Sequence, residues 1–321
     1  MQATKKVLSL FVGAAVATGL SFAAYAEEQE SSSETKVKME EAKGEAGEGD
    51  VDELITNRKL RAETGSKSKL SVSTSFNYSG ATINKPGARI RPNIRGAANT
   101  VALASLSGSI AGKYRLGTKD SVSAGVGLRM LTPFHDSLNT SKINGVERAD
   151  VYNPYVDLTH IDKIGGFQSV TSASVTGMTT DYSRQTGYVA NISVSETLLK
   201  DIGTSGFSVG LYSGIDGSIF DKFDDAAKAG SADYSIGFYP FLEYVINDTL
   251  NFRTISGLWV YDHLRSERST FTFEKNKIYQ SVGLGISVSR DIYLYPNVQF
   301  LPENIRADLT NVALSANINV F

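Results

Sequence analysis

The chain has 321 residues, 34 acidic side chains against 32 basic ones, a net charge of −2 and no cysteine. Near-neutrality supplies no global field for nucleic acid, and the missing thiols exclude disulfides, thiolate metal sites, a thiol nucleophile and a lipid-modified amino terminus. Hydrophobic residues amount to 41%, too few for a helical membrane bundle. A barrel needs apolar residues only at alternate positions, so a mean hydropathy of −0.14 is compatible with membrane residence.

The first 26 residues read as a secretion signal. Lys5 and Lys6 form the positive start, Val7 to Phe22 the apolar stretch, and Ala24-Tyr25-Ala26 a small-x-small cleavage site. Residues 27–66 form an acidic, Ser/Gly-rich tail, with Glu27-Glu28-Gln29-Glu30 and almost no aromatics. Such a segment buries too little apolar area to offset its chain entropy, so disorder is expected. Its candidate helix runs over 50–61, where Asp50 serves as cap and Val51, Leu54 and Ile55 share a face. Helical periodicity alone leaves open whether this segment is a solvated tether or a plug inside the remainder of the chain.

From 67 to 321 the pattern changes to period two. Leu70, Val72, Thr74, Phe76 and Tyr78 alternate with Ser71, Ser73, Ser75, Asn77 and Ser79, which predicts a strand with one apolar and one polar face. Further strands are predicted near 100–116, 121–133, 151–162, 167–179, 187–198, 206–220, 233–246, 249–261, 276–289, 291–301 and 309–321. With the first they make twelve, an even number as a closed single-chain membrane barrel requires. The links alternate between short ones (Gly117 to Asp120, Lys163 to Gly166, Leu199 to Ser205, Asn247-Asp248, Arg290) and long ones (81–99, 134–150, 180–186, 221–232, 262–275, 302–308). Aromatics sort in the same way. Tyr78, Tyr152, Tyr188, Tyr234 and Phe300 flank the long loops, while Tyr114, Phe207, Tyr244 and Phe252 flank the short turns. Two aromatic girdles are expected at the two interfaces of a bilayer. Pro154, Pro240 and Pro296 fall inside predicted strands, where each removes a ladder donor, so bulges or shortened strands are expected there.

The cleavage site, the alternating segments and the terminal Phe321 together resemble the Gram-negative outer-membrane β-barrel class, porin-like, over residues 67–321. The resemblance implies a closed all-β antiparallel transmembrane barrel with both termini periplasmic, contacts with outer-membrane lipid and lipopolysaccharide, and no cofactor. It also implies that Phe321 forms part of the signal read by the barrel-assembly machinery. Here Phe321 falls out of phase with Val320, Ile318 and Ala316, a departure from the class.

In such a fold the inward positions carry function. They are mostly small and polar, and twelve strands lie between a filled lumen and a wide aqueous channel. The charged inward candidates are Lys113, Arg115, Arg253 and Glu243 toward the periplasmic mouth, Asp157 midway, and Arg129 and Asp216 toward the outside. Their signs nearly cancel, so strong charge selection is not expected. Tyr155, Tyr212, Tyr239, Trp259, Tyr261, Tyr279, Tyr293 and Tyr295 are also predicted inward, either as fillers or as a stacking path for a solute. The first long loop is basic (Lys85, Arg89, Arg91, Arg95) and is expected either to constrict the lumen or to meet lipopolysaccharide phosphates.

Hydrolase, phosphate-loop and dinucleotide motifs are absent, as is the His-x-Ser-Asn pattern of outer-membrane phospholipases around His135, His160 and His263. The expected function is passive diffusion of small polar solutes, without enzymatic activity and without a metal. A non-conducting barrel for adhesion or envelope structure is the alternative, and a lipid hydrolase the more distant one.

Overall fold

The computed structural model describes residues 51–94, 101–135, 142–143, 146–228, 230–267 and 269–320. The expectations for the signal peptide, for the tail through residue 50, for Arg95 and for Phe321 lie outside the described residues.

Twelve antiparallel strands form a closed barrel. They are β1 (Leu70–Thr82), β2 (Ser105–Arg115), β3 (Asp120–Leu131), β4 (Ala149–Ile164), β5 (Phe167–Gly177) and β6 (Tyr188–Asp201). The ring continues with β7 (Phe207–Phe220), β8 (Ala232–Val245), β9 (Leu250–Gly257, resumed as Trp259–Leu264), β10 (Tyr279–Ser289), β11 (Ile292–Phe300) and β12 (Asn311–Val320). Each strand pairs with its sequence neighbours, and β12 returns to β1 with Val72 opposite Val320 and Ser79 opposite Ala313. Closure removes every sheet edge, which is what allows a sheet to sit in hydrocarbon.

The connections alternate as the sequence implies. At one end, β4 and β5 are joined by Gly165-Gly166 alone, with φ of +59° and +82°. That left-handed pair suits the twist of a two-residue hairpin and is open to glycine at little cost. At the other end the loops are long and carry two short helices (Asp181–Thr186 and Phe223–Lys228) and two small ladders, Ile90–Pro92 with Val101–Leu103 and Lys142–Ile143 with Val146–Glu147. The predicted strand 100–116 therefore starts later, at Ser105, because residues 101–103 pair within the basic loop.

Outward positions are apolar and exposed over a broad band, with Val156, Leu158, Val175, Ile192, Val194 and Ile215 about half accessible. A band of that extent marks contact with lipid or protein rather than water. Tyr114, Phe207, Tyr244 and Phe252 share this outward face near the short turns, and the Phe207 and Tyr244 rings lie 4.6 Å apart.

Three irregularities alter the predicted faces. At Asn153, φ is +47° just before Pro154, and the register slips so that Gly127 faces Tyr152. The bulge turns Tyr152 inward instead of onto the girdle. A slip between Tyr188 and Ala190 does the same to Tyr188, whose hydroxyl accepts from Asn191 and Ser218. In β9 the ladder breaks between Gly257 and Trp259, opposite the stretch of β8 that holds Pro240. Beyond that break Trp259 pairs with Phe238 and Tyr261 with Ile236, so both predicted inward rings lie on the outward face. Pro296 causes no slip: it stays opposite Leu314, and only the pairing of β10 with β11 is interrupted beside it.

The largest departure concerns the tail. Residues 51–64 form two helices, α1 (Val51–Leu54) and α2 (Arg58–Thr64), in place of one helix over 50–61. Asn57 caps α2 from the extended region, its side chain accepting from Leu60 N at 3.1 Å. The described part of the tail is therefore not a solvated tether. Val51, Ile55 and Leu60 pack into an apolar cluster with Ile161 of β4, Leu199 of β6 and Phe241 of β8. The physical reason is that these few apolar side chains find an apolar patch inside the barrel, and no soluble arrangement of so short a segment offers one.

Candidate functional site

The site is the interior of the barrel, and its composition follows from the period-two alternation. Ser73, Ser75 and Asn77 of β1, Ser109 and Lys113 of β2, Ser123 of β3, Asp157 and Thr159 of β4, and Ser172 and Ser174 of β5 point into one cavity of about 640 Å³. Ser195, Thr197, Tyr212, Tyr279, Ser281, Tyr295, Asn297 and Gln299 also line it, and Lys59, Ala62 and Glu63 of α2 contribute to the end nearest the short turns. The walls carry mutually satisfied hydroxyls, such as Ser75 with Ser109 at 2.9 Å and Ser174 with Ser193 at 2.7 Å. These are groups that exchange hydrogen bonds with water at little net cost.

Inward glycines make room for inward rings. A Cβ on Gly237 would lie 2.6 Å from the Tyr239 ring, and one on Gly257 would overlap that of Tyr279. The rings thus lie along the wall. Tyr212 and Tyr239 stand 5.5 Å apart and Tyr239 and Tyr279 6.4 Å apart, a run of three tyrosines across β7, β8 and β10.

Each charged candidate read from the sequence has a definite place. Asp157 and Lys113 line the cavity, and Arg253 borders it. Asp216 faces Ser193 and Ser235 higher in the wall. Arg129 lies 3.7 Å from Asp150 and over the Tyr152 ring, near the long-loop end. Tyr155 faces Gly125 on the cavity wall. Toward the short-turn end, Lys113, Arg115, Glu243 and Arg253 are only 5%, 8%, 3% and 4% exposed. The sequence puts these groups at an open mouth, but α1 and α2 cover them.

The cover is held on many sides. The backbone N–H groups of Thr56 and Asn57 donate to Gln168 Oε1 at 2.8 and 2.9 Å. Asn57 Nδ2 donates to Glu243 Oε2 at 2.8 Å, while Glu243 also pairs with Arg253, whose guanidinium lies 4.5 Å from the Phe241 ring centre. Arg115 donates to the carbonyls of Thr64, Gly65 and Ser66, and Asn319 Nδ2 donates to Ala62 O at 2.6 Å. At the rim Arg290 grips Asp52 through Nε and Nη2, at 3.0 and 2.9 Å, and Lys67 Nζ adds a contact at 3.0 Å. Burial pushes the Asp52 carboxyl upward, but the Arg290 and Lys67 hydrogen bonds and the charges of Arg290 and Arg61 outweigh it and hold it below the usual carboxylate range.

The basic loop keeps Lys85 exposed and Arg89 and Arg91 half-buried. Arg91 Nε donates to Leu103 O at 3.4 Å across the small ladder, and Asn311 Nδ2 of β12 donates to Pro92 O at 3.0 Å. None of these three basic side chains is among the residues lining the cavity.

Two features escape a single-strand reading. Besides capping α2, Asn57 contacts residues more than 100 positions away. Glu196 of β6 lies on the outward face, opposite Thr171, with its carboxylate taking the hydroxyl hydrogens of Ser169 (2.6 Å) and Thr171. An acidic residue at an even position within 187–198 was the available signal. As for the histidines, Nδ1 of His160 lies 2.7 Å from Asp120 Oδ1 on the outward face, and Nε2 lies 4.0 Å from Asp162. The cross-strand neighbour of His160, Thr171, gives its hydroxyl hydrogen to Glu196.

No protein-family model and no curated protein matches the sequence. Similar solved structures exist at low identity. An outer membrane channel from Pseudomonas putida F1 has 10% identity and a TM-score of 0.48, covering 80% of this chain and 97% of that one. The KdgM porin has 10% identity and a TM-score of 0.40, over 78% and 99%. The NanC porin has 9% identity and a TM-score of 0.39, over 78% and 98%. These likenesses are of overall barrel shape.

Proposed function

We propose that the protein is an outer-membrane channel for passive diffusion of small polar solutes, with the long loops outside and the short turns and both termini on the periplasmic side. The observation that carries this reading is the two-faced wall: a closed ring of twelve strands, apolar outward, around a cavity of about 640 Å³ lined by hydroxyls, amides and tyrosines. Only a lipid environment rewards that outward face, and only a wet interior rewards the inward one.

In this reading Arg115, Lys113, Arg129, Asp157, Asp216, Glu243, Arg253, Tyr155, Tyr212 and Tyr239 line the path. Opposed charges along it leave little preference between cations and anions. Lys85, Arg89 and Arg91 of the basic loop face the outer surface and meet lipopolysaccharide phosphates, since none of them reaches the cavity. Insertion by the barrel-assembly machinery belongs to the same reading.

A second reading has a specific observation in its favour. The cover formed by α1 and α2 buries the charged end of the lumen, as a non-conducting barrel with an adhesive or envelope-structural role would have it. Planar-bilayer recording separates the two. The channel reading expects discrete conductance steps, and liposome swelling that falls off with sugar size. Silence from folded protein under all voltages, with no swelling even by the smallest sugar, favours the structural reading.

A further inference from the structure

We infer that residues 51–64 are a displaceable gate, hinged at Gly65 and latched at the rim by Asp52, Arg290 and Lys67. The inference rests on the channel reading and goes beyond it. Four observations carry it.

The barrel closes without the segment: β12 pairs with β1 and β7 with β8, and neither helix contributes a ladder bond. Departure of the segment therefore leaves the wall intact. Helices of four and seven residues do not persist alone in water, so docking is what orders them.

The wall beneath the segment is built for water. Lys113, Arg115, Glu243 and Arg253 are nearly fully covered when the segment is docked. A permanently covered core is ordinarily apolar, since buried charges cost more than well-packed hydrocarbon. A surface that is alternately covered and wet needs side chains that serve in both states, and two of the four do: Glu243 pairs with Arg253 in the wall itself, and Asn57 only adds to that pair.

The hinge is present where it is needed. Gly65 has a φ of +88°, and a Cβ there would lie 2.9 Å from Lys113 Cδ. The latch is ionic and sits at the rim, where water competes with it. Asp52 meets Arg290 at 2.9 Å, and Arg58 approaches Asp248 of the β8–β9 turn at 3.6 Å.

The test exploits the absence of cysteine. Thr56 Oγ1 and Asp201 Oδ2 stand 3.3 Å apart across the gate, so the pair Thr56→Cys and Asp201→Cys places two thiols for a lock. Single-channel currents are recorded for the full protein, for the locked pair before and after reduction, and for a deletion of 51–64, each shown to be folded by its faster migration when unboiled. The full protein is expected to step between a low level and a level several-fold higher. The deletion is expected to hold the high level, the oxidised lock the low level, and reductant to restore the steps. If the deletion conducts while the full protein and the oxidised and reduced lock all hold one identical conducting level, the segment is a fixed floor and the gate is wrong, with the channel reading intact. If the folded deletion is silent, the channel reading itself fails.

Discussion

Arg253 shows how much a single inward side chain depends on its surroundings. It pairs with Glu243 and lies over Phe241, and Glu243 takes further hydrogen bonds from Asn57 and Asn251. Arg253→Ala leaves a carboxylate buried without its cation, which costs about 3–5 kcal/mol. Replacing both partners by apolar residues of similar volume, as in Arg253→Met with Glu243→Leu, should cost much less. Denaturant unfolding in detergent, followed by loss of the unboiled gel form, measures both, and a single variant as stable as the double would contradict the assignment. Outward, Glu196 places a carboxylate in the apolar band, relieved by Ser169 and Thr171. Glu196→Gln keeps a hydrogen-bonding group but removes the charge, so it should leave the barrel as stable or more so in lipid, whereas a large loss would show that the charge itself has a partner. At this scale the inward charges were legible because alternation gives a side chain's face. Their burial was not, because the residues that cover them lie far away in sequence.

Elements were legible where pattern and turn chemistry agreed. β1 follows from strict alternation, and the β4–β5 hairpin from Gly165-Gly166. Faces were lost wherever a bulge inserted a residue: Tyr152 beyond Asn153, Tyr188 beyond its slip, and Trp259 and Tyr261 beyond the break in β9. A one-residue slip reverses every face beyond it; the prolines at 154 and 240 marked two of the three, and nothing in the sequence marked the slip at Tyr188. The helices carry two expectations of their own. Asn57→Ala removes the cap of α2 and the bond to Glu243, weakening docking by about 1 kcal/mol, roughly fivefold in the closed-to-open ratio. A closed fraction unchanged in bilayer recording would count against the cap. Acid should act through Asp52, which faces Arg61, Lys67 and Arg290, with Arg115 nearby. Because its docked value lies below the ordinary 3.8, its stabilisation is present above that pH and disappears as the pH falls through the docked value. Open events should therefore rise on acidification below about pH 4, and Asp52→Asn should show raised opening at neutral pH with the acid response flattened. An unaltered acid response in Asp52→Asn would place the sensitivity elsewhere.

Across the whole molecule the ring of twelve strands emerges from quantities the sequence carries plainly: an even count of alternating segments, links of alternating length and small inward residues. What it does not carry is the fate of residues 51–64, whose few apolar side chains look too sparse for folding until the inner patch of Ile161, Leu199 and Phe241 is known. The barrel supplies the core that the segment lacks, and the segment covers the charged end of the lumen. The account rests on which face of the wall meets water. Single cysteines along β1 test this directly with a water-soluble maleimide, in protein reconstituted into lipid bilayers. Ser75→Cys and Asn77→Cys are expected to react, and Phe76→Cys and Val72→Cys to stay protected until the lipid is removed. Equal labelling at all four positions, or reaction at 72 and 76 with protection at 75 and 77, would contradict a barrel that is apolar outside and wet within.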